Sequence, residues 1–377
     1  MSAALPAGDG FFIGVMSGTS IDGIDAVLVR GGNRLELVRG HTRTFPAELR
    51  AELRRLCTPG ENEIERLGRA DVAVGREFAQ TIRELLETAG VRAADVRAIG
   101  SHGQTIRHRP AGDTAFTLQI GDPNVIAAQT GIAVVADFRR KDLALGGQGA
   151  PLVPAFHDAL FRKNGCERVI LNLGGIANLT VLPGEEQSPV RGFDTGPGNT
   201  LLDAWCRRVK GEPMDRAGAL AARGAVIAAL LERMLADPYF AQHAPKSTGP
   251  EYFSLAWLDE CLVAFAGVSD AEVQATLVAL TAQSAAAAIA DATNGRAVEI
   301  FVCGGGVHNP VLLGALRNRL QNSTVATTAA LGVDPGWVEA MAFAWLAQQR
   351  VLQRPGNCPA VTGATRPAVL GGMWLPM

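Results

Sequence analysis

Apolar residues recur along the chain with two periods. Residues 11–16 and 24–30 are apolar runs on either side of the stretch GVMSGTSIDGID (14–25), and they predict two strands joined by a glycine loop. Residues 46–57 and 62–89 read as helices, with Ile64, Leu67, Phe78, Ile82, Leu85 and Leu86 recurring near helical spacing. A short strand at 96–100 runs into the polar motif SHGQTIRHRP (101–110), and another covers 116–120. Asp122 followed by Pro123 marks a helix start, with Asp as N-cap and Pro at the first helical position. Residues 132–136 are a further strand. The segment after it, FRRKDLALGGQGAP (138–151), is polar and glycine-rich, and reads as a binding loop or an interdomain crossing.

The second half repeats the opening plan. An apolar strand at 169–173 turns at GGIA and returns at 178–182. A third strand (190–193) ends at DTGPGN, and a helix follows from about Thr200. Helices are expected at 216–236, 254–265 and 270–293, a strand at 298–303 ending in GGG, and a helix near Asn309. Asp334 and Pro335 start a long helix through about Gln349. Both halves therefore open with a glycine-turned strand pair. We read this as a structural duplication, not a sequence repeat. Two α/β domains with a cleft between them is the economical architecture, with ligands at strand C-terminal ends.

Composition narrows the class. The chain has 377 residues, 47% hydrophobic and 19% charged, which is globular and enough for one large or two ordinary domains. A net charge of −2 gives no basic field for nucleic acid or an acidic membrane. Cys57, Cys166, Cys206, Cys261, Cys303 and Cys358 form no C-x-x-C pair, so buried free thiols in a reducing compartment are expected rather than disulfides or zinc. The histidines (His41, His102, His108, His157, His243, His308) lack zinc-ligand spacing. The opening MSAALPAGDG shows no secretory signal pattern, and the alanine run at 282–290 is short and interrupted by Gln283 and Ser284. The expectation is a soluble cytoplasmic protein with no membrane span.

The candidate chemistry lies in the glycine turns. Walker A and Rossmann patterns are absent; KSTG (246–249) has no glycine loop before its lysine, and no G-x-S-x-G elbow occurs. What remains is MSGTSIDG, LNLGGIAN and VCGGGVHN, each after an apolar strand. Backbone N–H groups in such turns form anion sites without lysine, and glycine lets a ligand approach closely. One such turn alone reads as a hairpin; three across two similar halves favour a nucleotide. Thr19 and Ser20 add hydroxyl donors, while Asp22 and Asp25 repel bare phosphate unless Mg²⁺ is present. Asp194 in GFDTGPGN is either a general base or the cap of its own turn. His102 and Gln104 stand nearer a strand end than Arg107, His108 and Arg109, which read as a solvated basic turn. Of Arg139 and Arg140, one can fork onto a carboxylate while the other faces solvent. Glu339 is either an exposed helix residue or a hydrogen-bond acceptor facing a cleft; Trp337, Met341, Phe343 and Trp345 around it read as core.

Taken together, GVMSGTSIDGID, SHGQTIRHRP, LQIGDPNVIAAQTGI, VVADFRRKDLALGGQGAPLVP, LNLGGIANLT, FDTGPGN, PKSTG, CGGGVHNP and EAMAFAWLA resemble the anhydro-N-acetylmuramic acid kinase family over nearly the whole chain, from about residue 12 to GATRPAVLGG. The stretch TGPEYFS (248–254) departs from it at Pro250, where the family pattern has Arg, and at Ser254, where it has Asn. The resemblance implies an α/β, two-domain acetate/sugar kinase–Hsp70–actin-like fold with an interdomain ATP cleft. The expected boundaries are 1–145, with the phosphate loop and part of the sugar site, and 146–377, with the second phosphate turn, the catalytic Asp and the adenosine motif. The last helix is allowed to pack back on the first domain. The resemblance further implies ATP-dependent, hydrolytic opening of 1,6-anhydro-N-acetylmuramic acid with phosphorylation of O6, in peptidoglycan recycling. Asp194 becomes the catalytic base. Gly18, Thr19, Ser20, Ile21, Asp22, Gly23, Ile24 and Asp25 hold phosphates with Gly174 and Gly175, and Gly304, Gly305 and Gly306 lie near the adenosine. His102, Gln104, Arg139 and Glu339 are the sugar candidates; the lactyl carboxylate is a reason for an arginine. ATP and Mg²⁺ are the implied cofactors, with the metal ligands open, and a homodimer is compatible. Two other activities stay in play: a same-fold kinase of an ordinary sugar hydroxyl, and an actin-like nucleotide switch without small-molecule chemistry.

Overall fold

The computed structural model describes residues 9–32, 34–244, 246–249 and 251–376. The departure at Pro250 and the first eight residues of the signal reading lie outside the described residues. In chain order the elements are β1 (Gly10–Ser17), β2 (Ile24–Gly31), β3 (Glu36–Arg43), α1 (Ala47–Leu56), α2 (Glu63–Ala89), β4 (Val96–Arg109), β5 (Phe116–Ile120), α3 (Pro123–Thr130), β6 (Val134–Ala136), α4 (Phe138–Ala144) and α5 (Val153–Phe161). There follow β7 (Arg168–Leu173), β8 (Ile176–Leu182), β9 (Arg191–Pro197), α6 (Thr200–Lys210), α7 (Ala228–Leu235), α8 (Leu255–Leu262), α9 (Asp270–Ala292), β10 (Glu299–Cys303), α10 (Pro310–Arg319), β11 (Thr324–Thr327), α11 (Val338–Val351), α12 (Pro359–Thr362) and β12 (Gly372–Trp374).

Two compact units form, one from residues 1–160 with 337–377 and the other from 161–336. In the first, β1, β2 and β3 are an antiparallel meander, and β4 and then β6 add in parallel on the other side of β1. In the second, β7, β8 and β9 are the meander, and β10 and then β11 add in parallel. The strand orders β3-β2-β1-β4-β6 and β9-β8-β7-β10-β11 are therefore the same unit built twice. The first sheet also carries β5 on β4 and β12 on β6. This is the α/β duplication that the repeated strand pairs suggest, resting on topology rather than on sequence similarity.

The first sheet is covered on both faces, which is why β1 reads as a continuous apolar run rather than an alternating one. Ile13 and Val15 pack into a cluster with Phe78, Ile82 and Leu85 of α2. On the opposite face α11 lies directly on β1 and β4. A Cβ on Gly14 would meet the Ala340 carbonyl oxygen at 1.8 Å, and one on Gly100 the Phe343 oxygen at 1.9 Å. The two glycines are what let the helix backbone touch the strands. In the second unit α9 is the core helix, started by a Ser269–Glu272 capping box. Its Leu277 and Leu280 sit in one cluster with Val169, Leu171, Val302 and Leu316. By length and composition α9 is apolar enough to span a membrane, but 78% of its apolar window is buried within the fold.

Several predicted elements differ. Strand β4 does not stop at Gly100 but continues through SHGQTIRHR to Arg109, because β5 pairs with its second half. Strand β9 runs to Pro197, so Asp194 lies within a strand opposite Asn178 rather than at a strand end. Residues 138–144 are helical, so only the rest of the 138–151 segment is loop. The predicted helix over 216–236 reduces to two single turns and α7, with Ala217 at φ 53° and Gly218 at φ 70° interrupting it. α11 begins at Val338, later than Asp334, whose side chain instead accepts the Gly336 N–H at 2.8 Å. Strands β3 and β11 carry weak apolar patterning and were not predicted.

Candidate functional site

In the first unit, residues 18–23 link β1 to β2. The Ile21 N–H closes a turn on the Gly18 carbonyl at 3.2 Å. Ile21 is buried (2% exposed) at φ 57°, a conformation costly for a β-branched residue. Its side chain anchors the turn in the core while Thr19 and Ser20 are exposed. Among the described residues, the backbone N–H groups of Gly18, Thr19 and Ser20 donate to no protein acceptor. Gln104, wholly buried, donates from Nε2 to the Gly18 carbonyl at 3.2 Å, so β4 holds this loop. Asp22 pairs with Arg54 at 3.6 Å on the surface. Asp25 accepts from Thr42 Oγ1 at 2.7 Å, and burial raises its pKa. Gly23 closes the loop, and Ile24, the first residue of β2, is fully buried.

The sugar candidates gather in the same unit. His102 is buried against Phe343, with ring centroids 4.6 Å apart. Its Nε2 accepts from Arg139 Nε at 3.2 Å and Nη2 at 2.9 Å. Burial, then the adjacent guanidinium, holds the imidazole pKa well below its ordinary value, so the ring is neutral with its proton on Nδ1. Arg139 also donates from Nη1 to the Gly149 carbonyl at 2.9 Å. Burial lowers its pKa to about 10, partly offset by the carboxylates of Glu339 and Asp142. Glu339 is half-buried on the first turn of α11, in the electrostatic reach of Arg139. Arg140, by contrast, is exposed and pairs with Asp137 at 2.8 Å. Arg107 is 10% exposed and pairs with Glu63 at 2.5 Å, and His108 bonds Thr117 at 3.0 Å. These two belong to strand β4 and are not a solvated turn. A cavity of about 740 Å³ lined by Asp137, Arg140, Lys141, Arg350 and Arg366, among others, contains none of the predicted site residues.

In the second unit three motifs converge. The carbonyl of Gly174 accepts from the Asn199 N–H at 2.8 Å, and that of Gly175 from Gly198 at 2.9 Å and Thr200 at 3.0 Å. Asn199 Nδ2 adds a bond to the Leu173 carbonyl at 2.8 Å. A Cβ on Gly198 would lie 2.3 Å from the Gly174 oxygen, so DTGPGN and the GG turn pack backbone to backbone. With their carbonyls engaged, the N–H groups of Gly174 and Gly175 take no acceptor among the described residues. Gly304, at φ 82°, would place a Cβ 2.3 Å from Asn172 Oδ1, and Gly306 one 2.5 Å from Leu173 Cβ. Gly305 lies between them on the same turn.

Asp194 is largely buried beside this hub. Its Oδ2 accepts the Thr248 N–H at 3.0 Å, its own N–H donates to the Lys246 carbonyl at 3.1 Å, and its carbonyl accepts Tyr239 Oη at 2.7 Å. Burial raises the carboxyl pKa to about 6, against the one Thr248 bond that lowers it. The KSTG segment is thus no phosphate loop of the Walker kind, but a strap across Asp194. Lys246 donates to the Tyr239 carbonyl at 3.3 Å with its ammonium 4.8 Å from the Tyr239 ring centre. Thr248 and Tyr239 escape single-residue reasoning, since neither precedes Asp194 in a local motif. Ser254 caps α8 by accepting the Trp257 N–H at 3.3 Å. Among the described residues no group of three or more His, Cys, Asp or Glu is placed to hold a metal.

Comparisons with known proteins follow this geometry. A family model described as anhydro-N-acetylmuramic acid kinase matches residues 10–376. A protein of that name from Shewanella amazonensis is 54% identical over 361 residues, covering 96% of this chain and 97% of the relative. One from Shewanella oneidensis is 54% identical over 363 residues, covering 96% and 98%. Among solved structures, the activator of the 2-hydroxyisocaproyl-CoA dehydratase from Clostridium difficile aligns at TM-score 0.46 and 11% identity, covering 91% of this chain and 96% of that one. A ROK family glucokinase from Streptomyces griseus aligns at 0.40 and 16%, covering 90% and 100%. The sequence matches make this protein a phosphotransferase. More narrowly, the chain belongs to the anhydro-N-acetylmuramic acid kinase family. An ordinary-hydroxyl kinase and a nucleotide switch are not favoured.

Proposed function

We propose that the protein uses water to open the 1,6-anhydro bridge of 1,6-anhydro-N-acetylmuramic acid and transfers the γ-phosphoryl of ATP to the released O6. The products are N-acetylmuramate 6-phosphate and ADP, a step of peptidoglycan recycling. The observation that carries the mechanism is Asp194: a largely buried carboxylate with pKa about 6, held by one backbone N–H. A base of that strength suits proton abstraction near neutral pH. Asp194 takes a proton from water as its oxygen bonds to the anomeric carbon. The C1–O6 bond breaks with its electron pair on O6, and O6 then bonds to the γ-phosphorus as ADP leaves. Attack opposite the leaving O6 inverts the anomeric carbon.

The two glycine turns suit a phosphate chain. Among the described residues both present backbone N–H groups without protein acceptors, and in the second unit Gly198, Gly304 and Gly306, which pack around the turn, have no room for a Cβ. Such preorganised donors stabilise phosphoryl transfer without reorganisation. Mg²⁺ carried in with the nucleotide would neutralise phosphate charge, for which a dedicated protein cage is not required. Asp25 is the residue we assign toward it, Asp22 being paired with Arg54. In the first unit, Arg139 is assigned to the lactyl carboxylate, His102 to orienting Arg139, and Glu339 to a sugar hydroxyl. Gln104, through Gly18, is assigned to holding the first phosphate loop.

The test is Asp194→Asn, assayed separately for nucleotide binding and turnover. Retained ATP affinity with product formation lost supports the assignment; near-normal turnover removes Asp194 from the mechanism.

A further inference from the structure

Asp142 is a fully buried carboxylate that the reaction above does not use. Its Oδ2 accepts the Gly149 N–H at 2.8 Å. Its Oδ1 accepts Asn357 Nδ2 at 2.8 Å and Thr362 Oγ1 at 2.9 Å. A buried carboxylate with three donors is a fixed point that no neutral side chain reproduces, because an amide oxygen offers one acceptor atom where a carboxylate offers two. A side chain at Gly149 would be strained: its φ is 70°, and a Cβ would lie 3.1 Å from the Arg139 carbonyl oxygen. The same Gly149 that gives its N–H to Asp142 gives its carbonyl to Arg139 Nη1. Asp142 thus fixes the peptide that fixes the guanidinium.

Donor counting shows what this achieves. Arg139 has five N–H groups. Nε and one N–H of Nη2 converge on His102 Nε2, and one N–H of Nη1 meets Gly149. One N–H on each of Nη1 and Nη2 remains without an acceptor among the described residues, which leaves two donors for a substrate carboxylate. His102 and Gly149 together set the direction in which that pair points.

We propose that Asp142 is a positioning residue for recognition of the substrate's lactyl carboxylate, acting through Gly149 on Arg139. Asn357 and Thr362 tie the 357–362 segment into the same lock. The proposal rests on the assignment of Arg139 to that carboxylate, and it adds the specificity for muramic over carboxylate-free amino sugars to the role of a residue remote from the chemistry.

The experiment measures KM and kcat for the anhydro-muramic sugar, KM for ATP, and turnover of 1,6-anhydro-N-acetylglucosamine, which lacks the lactyl group. The proteins are the full-length wild type, Asp142→Asn, Thr362→Val, Arg139→Lys and the Asp142→Asn/Arg139→Lys double variant. Asp142→Asn is expected to raise the sugar KM on the order of tenfold. KM for ATP should hold, turnover of the lactyl-free sugar should be unaffected, and the double variant should be no worse than Arg139→Lys alone. Thr362→Val should shift the sugar KM the same way by about threefold, and it decides the question should Asp142→Asn not fold. A sugar KM within about twofold of wild type in Asp142→Asn, or in Thr362→Val if only that folds, overturns the proposal while leaving Arg139 in place. So does an equal loss toward both sugars, which marks a merely structural role. An unaltered sugar KM in Arg139→Lys overturns the Arg139 assignment, and the proposal with it.

Discussion

In its proposed role as the base, Asp194 sets catalysis and stability in opposition at one side chain. Its folded pKa, about 6, lies above the ordinary carboxylate value of 3.8. The folded protein therefore binds this proton more tightly than the unfolded chain between about pH 4 and pH 6. This group's contribution to stability is fully present below about pH 4 and falls as pH rises through 6. The proposed base works in its deprotonated form, so turnover should rise with pH along a single titration centred near 6. Asp194→Asn retains an acceptor for the Thr248 N–H and removes the buried charge. We expect turnover to drop by about 10²–10⁴-fold and the thermal midpoint at neutral pH to rise, by up to about 2 kcal/mol of stability. Kinetics against pH and thermal melts of the two proteins check both signs. Arg139→Lys should raise the sugar KM by about tenfold with ATP affinity unchanged, because an ammonium cannot reproduce the guanidinium fork. Steady-state kinetics in each substrate reads this directly. At this scale the sequence exposed Asp194, His102 and Arg139 through their motifs. It left Arg139 and Arg140 equivalent, since only burial against His102 and Gly149 separates them. It left Thr248 and Asp142 unread, since the partners that define them are 54 and 215 residues away in sequence.

Among the elements, strands and helices with strong periodicity were legible and those shaped by partners were not. β1, β2, α2, β7, β8 and α9 follow from apolar spacing alone. β4 and β9 look shorter in sequence because their polar ends, which carry His102, Gln104 and Asp194, are extended by pairing with β5 and β8. That placement puts the candidate side chains on rigid strand positions rather than on loops. Glycine usage separates two kinds of position. Gly14→Ala would drive a Cβ into the Ala340 carbonyl at 1.8 Å and force α11 off the sheet. We expect a loss of several kcal/mol, about 3 or more, or no folded protein, as read by denaturant unfolding. Gly68 lies on the exposed face of α2 with nothing within 4 Å of its Cβ position. Gly68→Ala should stabilise the fold by about 0.5–1 kcal/mol.

For the whole molecule, the duplicated sheet order was foreshadowed by one local signal, a glycine-turned strand pair at the start of each half. The outer strands β3 and β11 complete each copy, yet they are too weakly patterned to be found without their neighbours. Each copy supplies one glycine turn with outward N–H donors. The first copy adds the Arg139 and His102 pair, and the second adds Asp194. In the proposed reaction one enzyme both hydrolyses the anhydro bridge and phosphorylates the product. The most direct measurement is the mass of the sugar product formed from ATP and 1,6-anhydro-N-acetylmuramic acid, with ADP counted in the same reaction. The proposed reaction gives a gain of one water plus one phosphoryl group for each ADP released, and no such ADP release without the sugar. A product carrying the phosphoryl group alone, or ADP release indifferent to the sugar, would contradict it.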